Sequence, residues 1–336
     1  MVTLFGMFLL TLLLITAIGI VREKNLFAAV MLAGIFSLQM AAIFFILDAA
    51  DVALTEAAVG AGIATVLLLS ALALTSSREA DTRRPTPVAI TIAVVTSALI
   101  IYATFDIPHL GDPTAPVHTH VAPWYLSRTP DLIDIPNVVT AILASFRGYD
   151  TLGELFVILT AGIGVRFILD NGDGTGGRSG PSADTAPRRP RADSGGLRHH
   201  LVPRVVGRLL VPFIVLFGLY VQFHGDFGPG GGFQAGALIT AGVVLFALVA
   251  GEAAALRAVP YRLLTLLTAG GALLYLSVGI AGLLLGGNFL DYSVLRPDPV
   301  AGQHLGIFLV ELGVGLTVTG VLLTIFHTFA AREQPR

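Results

Sequence analysis

The sequence predicts an all-α, polytopic membrane protein with about nine transmembrane helices: five, a flexible cytoplasmic linker, then four. Three observations predict it. Hydrophobic residues fill 54% of the 336 positions and charged residues only 12%, against about 25% charged in a soluble domain. Mean hydropathy is +0.82. Apolar stretches long enough to cross a hydrocarbon core, about 20 residues each, recur along the whole chain. They lie at 2–21, 26–47, 52–75, 87–105, 151–169, 205–223, 233–251, 260–286 and 303–329.

The first stretch, MVTLFGMFLL onward, has no basic n-region and no cleavage site, so it reads as a retained helix. Charge in the connections then sets the orientation. Arg22, Lys24, Arg78, Arg83, Arg84, the linker arginines, Arg257 and Arg262 follow spans one, three, five and seven. Only Arg128, Arg147 and Arg296 follow the even spans. The excess of positive charge marks the cytoplasmic side. The N-terminus is therefore expected outside and the C-terminus inside.

Two connections are long. Residues 106–150 open with six prolines between Pro108 and Pro136, which predicts irregular backbone. The following NVVTAILASF is apolar with helical spacing but too short to span. It is expected to lie along the interface, with Trp124 and Tyr125 at headgroup level. Residues 170–203, rich in Gly, Pro, Ser and Arg, cannot bury enough apolar surface to fold and read as a flexible linker.

Several functions are excluded. A net charge of −2 gives no basic field for nucleic acid. The absence of cysteine rules out a disulfide, a thiolate zinc site or a cysteine-held iron–sulfur cluster within this chain. His109, His118 and His120 have no carboxylate or thiol at ligand spacing, so no metal and no cofactor is expected. The glycines at 230–232 lack the following Lys-Ser/Thr of a phosphate loop. An enzyme active site is not expected.

The informative residues are ionisable groups inside apolar spans, because each is costly there. Glu56 sits about one turn inside the third span, with Gly60 four residues on. In FRGYDTLGE, an unbroken helix would put Arg147, Asp150 and Glu154 on one face. Glu311 lies about two turns inside the last span, with His304 seven residues earlier and nearly on the same face. Between spans six and seven runs HGDFGPGGGFQAG. Gly230, Gly231, Gly232 and Pro229 predict that one helix ends near Phe223 and another begins near Phe233. The positive end of the new helix is expected near His224 and Asp226.

HGDFGPGGGFQAG resembles the signature of the B subunit of Mrp-type multisubunit cation/proton antiporters, with Ala235 where that family usually has glycine. GGNFLDYSVL and GIFLVELGVGLTVTGVLLTIF extend the resemblance through spans six to nine. DVALTEAAVGAGI resembles the small D-type subunit of the membrane-bound hydrogenase and Mrp group. NVVTAILASFRGYDTLGE resembles the E-type subunit, with Ser145 replacing its usual Asp. The resemblance implies a fusion: 1–105 a D-type module plus the first E-type helix, 106–169 the external loop and second E-type helix, 170–203 the linker, and 204–330 the B-type domain. It also implies a place in a bacterial plasma membrane, among A-, C-, D-, E-, F- and G-type subunits and lipid, in a complex exchanging Na⁺ for H⁺. Glu56, Asp150, Glu154, His224, Asp226, His304 and Glu311 are the candidate ion-path residues. A membrane subunit of a redox-driven hydrogenase-like complex and a non-conducting scaffold stay open as alternatives.

Overall fold

The computed structural model describes residues 2–73, 75, 77–79, 87–109, 111–170 and 201–333. The linker expected over 170–203 falls, from 171 to 200, outside the described residues. Among those residues the chain is helical without strands, and nine helices are long and apolar enough to cross a membrane.

Helix α1 (Val2–Arg22) packs along α2 (Leu26–Ile46), whose N-terminus is capped by the Asn25 side chain accepting from Phe27 and Ala28 N–H. The third crossing is composite. It runs through α3 (Ala50–Thr55), a π-helical stretch (Glu56–Ala64) and α4 (Thr65–Ala73). π turns are rare and concentrate at functional sites. Helix α5 (Pro87–Thr104) is exposed along its whole length.

The connection to the next crossing is more ordered than its prolines predict. It forms α6 (Pro116–Thr119) and α7 (Val121–Leu132). Pro116 and Pro123 fall in first helical turns, where a missing N–H costs nothing because it would have no partner. NVVTAILASF also departs from expectation. It forms α8 (Val138–Thr140) and a second π stretch (Ala141–Phe146), and it enters the bundle instead of lying on an interface. Ala141 and Ala144 are buried, and Ser145 donates to the Gln303 side chain at 2.7 Å. Trp124 and Tyr125 pack on Phe146. The small residues on this segment make its entry possible, because they allow close backbone approach.

Helix α9 (Gly148–Asp170) follows a break at Arg147, whose φ of −122° and ψ of 31° are not helical. Two buried tyrosines hold the break. Tyr292 donates to Ala144 O at 2.9 Å and Tyr275 to Gly148 O at 2.8 Å. Burial pushes the Tyr292 phenol well above its ordinary range, with Tyr275 acting in the same direction, so it stays a donor.

The core is formed by α10 (Leu201–His224), α11 (Gly232–Ala250), α13 (Tyr261–Leu284) and α14 (Pro299–Glu333). The short α12 (Glu252–Ala258) joins α11 to α13, and a 3₁₀ turn (Tyr292–Leu295) precedes α14. Helix α14 is the axle: α9, α11, α13 and α4 all pack on it. Its crossing with α11 leaves no room for side chains. A Cβ on Gly232 would overlap the Glu311 carbonyl, and one on Gly236 would come 2.8 Å from Val318 Cβ.

That contact predicts contrasting glycine variants. Gly232→Ala should lower the thermal midpoint of the detergent-purified protein, since overpacking costs about 1–3 kcal/mol. Gly164→Ala in α9, where a Cβ meets open space, should be neutral or stabilising, by up to about 1 kcal/mol for a helical Gly→Ala change. Equal midpoints for the two variants would show that the α11–α14 contact is not tight.

Candidate functional site

The site is assembled where α3, α8, α9, the α10–α11 connection and α14 meet. A cavity of about 500 Å³ opens there. Asp51, Thr55, Glu154, Gly231, Gln234 and Glu311 supply its polar lining, with Val310, Val314 and Leu155 among the apolar part.

Glu311 is its deepest carboxylate, and the glycine motif is shaped around it. A Cβ on Gly225 would lie 3.0 Å from Glu311 Oε2, and one on Gly231 3.1 Å from Oε1. Gly231 also has φ of +119° and ψ of −177°, a backbone state open essentially to glycine alone. Gly231 caps α11, so Glu311 faces the positive end of that helix. Such a position favours a negative charge by about 0.3–1 kcal/mol at exposed sites and up to about 2 when partly buried. Among the described residues no donor hydrogen-bonds the Glu311 carboxylate.

The other walls are tied together by hydrogen bonds. Asp51 Oδ1 accepts from Gly230 N–H at 3.3 Å and from Asn137 Nδ2 at 3.4 Å. Thr55 Oγ1 accepts from Gln234 Nε2 at 2.9 Å and donates to Asp51 O at 2.9 Å. Thr140 Oγ1 donates to Gly225 O at 2.7 Å.

The sequence candidates divide. Glu311, Glu154 and Gly230–Gly232 line the cavity. Glu56 lies one residue beyond Thr55 but outside the lining. Its carboxylate sits over Gly60 beside Ser37 of α2, each 2.7 Å from where a Gly60 Cβ would stand. The expected Arg147–Asp150–Glu154 face does not form, because the chain breaks at Arg147. Asp150 instead pairs with Arg147 on the exposed side, with Arg147 Nε donating at 2.6 Å, while Glu154 turns to the cavity.

His304 and Glu311 share a face but lie about 10 Å apart along it, at 1.5 Å per residue. At the level of His304 the α7–α8 connection covers α14. His304 Nε2 is 2.7 Å from Ile133 O and the ring stays outside the cavity lining. Nor do His224 and Asp226 occupy the α11 N-terminus, which faces Glu311. The His224 ring stacks on Tyr220 and covers Gly228. Asp226 is half-buried. Burial raises its carboxyl above the usual range, and the charge of nearby His304 pulls it part of the way back.

Sequence reasoning missed Asp51, Asn137 and Gln234. Asp51 reads as a loop residue by hydropathy alone. A signal existed for Gln234, a polar residue in an apolar span.

The fold and site define a multi-pass membrane protein with a carboxylate-lined cavity between helix modules. The comparisons specify which. Residues 202–324 match the family described as a domain related to the MnhB subunit of Na⁺/H⁺ antiporter. Residues 11–77 match the MbhD family and residues 82–171 the MbhE family, the D-type and E-type subunits of MBH. A putative antiporter subunit mnhB2 of Staphylococcus aureus is 34% identical over 130 residues, 37% of this chain and 90% of that protein. An uncharacterized protein of Methanocaldococcus jannaschii is 32% identical over 202 residues, 56% of this chain and 75% of that protein. Among solved structures, a chain of the Mrp complex from Dietzia sp. DQ12-45-1b superimposes with a TM-score of 0.74 at 28% identity. The match covers 96% of this chain and 34% of that chain, so this chain spans about a third of its length. The chain belongs to the family of Mrp-type antiporter subunits, with MbhD, MbhE and MnhB parts in one polypeptide.

The raised Asp226 carboxyl gives a pH prediction. A carboxyl with a raised folded value favours the folded state when protonated, and that advantage is lost as pH rises through the folded value. Asp226→Asn should therefore match wild type in thermal midpoint at acid pH and exceed it above the carboxylate range. A variant progressively less stable than wild type with rising pH would contradict this burial.

Proposed function

We propose that this chain is a subunit of a multisubunit monovalent cation/proton antiporter, and that its cavity is part of the ion route. The observation that carries the reading is Glu311. It is a carboxylate deep in a membrane helix, facing a cavity with Asp51 and Glu154 on the opposite walls. A charge at that depth costs on the order of 2–3 kcal/mol on insertion scales, a cost that a purely structural neutral side chain would avoid. A carboxylate clasped by glycines can release a proton to one side of a cavity and exchange it for a cation.

Glu56, at the start of the π stretch, extends the route toward α2, whereas Asp150, His224, Asp226 and His304 lie outside the cavity lining. Sodium is the cation named in the matching family's description. No resident cofactor is required. The parts follow the sequence: a D-type module with the first E-type helix over 1–105, the second E-type helix to 169, and a B-type domain over 204–330. The partners are A-, C-, D-, E-, F- and G-type subunits of the same complex. The only lysine in these 336 residues is Lys24, between α1 and α2, so the lysine–glutamate relays of a complete transporter lie outside them. The chain assists exchange without catalysing a reaction. The bias of arginines puts the N-terminus outside and the C-terminus in the cytoplasm.

A second reading has a specific support. The membrane-bound sulfane sulfur reductase, an archaeal respiratory complex, contains a chain matched with a TM-score of 0.50 and 25% identity, covering 71% of this chain and 97% of that one. On that reading the same cavity serves a redox-driven pump, and cofactors should co-purify with the complex.

In everted vesicles holding the complete complex, Glu311→Gln should reduce Na⁺-dependent proton flux by about a hundredfold or more at matched abundance, as loss of a proton-transferring group does in general. Glu311→Asp should keep part of the flux. Near-normal flux in Glu311→Gln over several pH values would remove the cavity from the route. The chain expressed alone should show no exchange.

Orientation has a separate check. Because the chain has no cysteine, single cysteines report unambiguously. Thr114→Cys should react with an impermeant maleimide on intact cells and Ala258→Cys only after lysis. The opposite pattern would invert the topology.

A further inference from the structure

We propose that Asn137 is a positioning residue. It holds the 225–231 glycine loop against the Glu311 carboxylate and joins that loop to Asp51 across the cavity. The proposal rests on the reading of the cavity as an ion route.

Asn137 uses nearly every polar atom it has, and each goes to a different part of the site. Its Oδ1 accepts from Val139 and Thr140 N–H, at 3.0 and 3.4 Å, and so starts α8. Its own N–H donates to Asp226 O at 3.0 Å. Its Nδ2 donates to Gly228 O at 2.9 Å and Gly225 O at 3.0 Å, with Asp51 Oδ1 at 3.4 Å. An amide nitrogen carries only two hydrogens, so the Asp51 contact competes with the two carbonyls.

This sharing gives the arrangement its consequence. Gly225 is gripped by Asn137 and Thr140 through one carbonyl, and its Cα side lies against Glu311 Oε2. Gly230 is gripped by Asp51 through its N–H, and the next residue lies against Glu311 Oε1. Both contacts on the Glu311 carboxylate thus depend on the Asn137–Asp51 pair. A cation or proton taken up by Asp51 withdraws its oxygen from Gly230 and Asn137. The loop is then freed to move at Glu311. Asn137 does not line the cavity, so it touches no ion and acts only through the loop. The other titratable groups facing this region are Glu154 of α9, His224 at the end of α10, Asp226 of the loop and His304 of α14.

The test uses the complete complex in membranes, with Asn137→Ala, Asn137→Asp and Thr140→Val. Thr140→Val removes the second grip on Gly225 O, at the cavity wall, and leaves the Asn137 side chain and its α8 cap in place. Two readouts are taken. One is labelling of Glu311 by dicyclohexylcarbodiimide against pH, read by mass spectrometry, which needs no transport. The other is the pH profile of Na⁺-dependent proton flux at matched complex abundance. Asn137→Ala should change Glu311 labelling about threefold or more at fixed pH, equivalent to about half a pH unit in the midpoint, and displace the flux optimum in the same direction. Thr140→Val should do the same more weakly. Asn137→Asp, which keeps the α8 cap but lacks the donors, should resemble Asn137→Ala. A merely structural residue would change only how much complex assembles. Unchanged labelling and profile in assembled Asn137→Ala overturn the proposal, and if that variant does not assemble, unchanged values in Thr140→Val overturn it. Wild-type complex without exchange, but with labelling that shifts in the variants, overturns the transport reading while the positioning role stands.

Discussion

The structure depends on the absence of side chains where α11 meets α14. Gly232 lies so close to the Glu311 carbonyl that a single methyl group does not fit, and Gly236 and Gly315 continue the same seam. A membrane interior gives helices little hydrophobic reason to associate, so close backbone packing between small residues takes over that role. The same close approach lets Gly225 and Gly231 reach both oxygens of Glu311. The contact that holds two helices together therefore also encloses the most deeply placed carboxylate.

Electrostatics reinforce that geometry. Glu311 faces the start of α11, where unpaired N–H groups and the helix dipole favour a negative charge. Yet no hydrogen bond among the described residues fixes it in place. Asp51, by contrast, is hydrogen-bonded to both the loop and Asn137. One carboxylate is held and the other is left free across one cavity.

Much of the fold was legible in the sequence because hydropathy reports helices long enough to span. The nine crossings and the end of α10 at His224 followed from apolar length and from Pro229 with its glycines. The site was legible only in part. Glu311 and Glu154 stood out as carboxylates in apolar helices. Asp51 did not, because it sits at the start of its span, where charge costs little. Asn137 did not, because one asparagine at a helix start is ordinary. Where the sequence misled, unbroken periodicity was the cause. The face of Arg147, Asp150 and Glu154 assumes a continuous helix, and the non-helical Arg147 ends it. The six prolines overstated irregularity, since Pro116 begins α6, Pro123 falls in the first turn of α7 and Pro130 lies within it.

The two π stretches bear on how such a site is built. Each adjoins a cavity wall: Thr55 directly precedes the first, and Thr140, Leu143 and Ala144 lie in or beside the second. A π turn adds a residue to a helical turn and rotates everything beyond it relative to an α-helix. The first stretch begins at Glu56, which faces Ser37 of α2, directly after Asp51 and Thr55, which face the cavity. The second brings a chain of small residues alongside α14 before the break at Arg147 sends α9 away. Asp51 and Glu311 stand on regular α-helical turns, whereas Glu154 lies beyond the second π stretch and the break at Arg147. The irregular segment is therefore what lets α9 bring its carboxylate to the space that α3 and α14 already share.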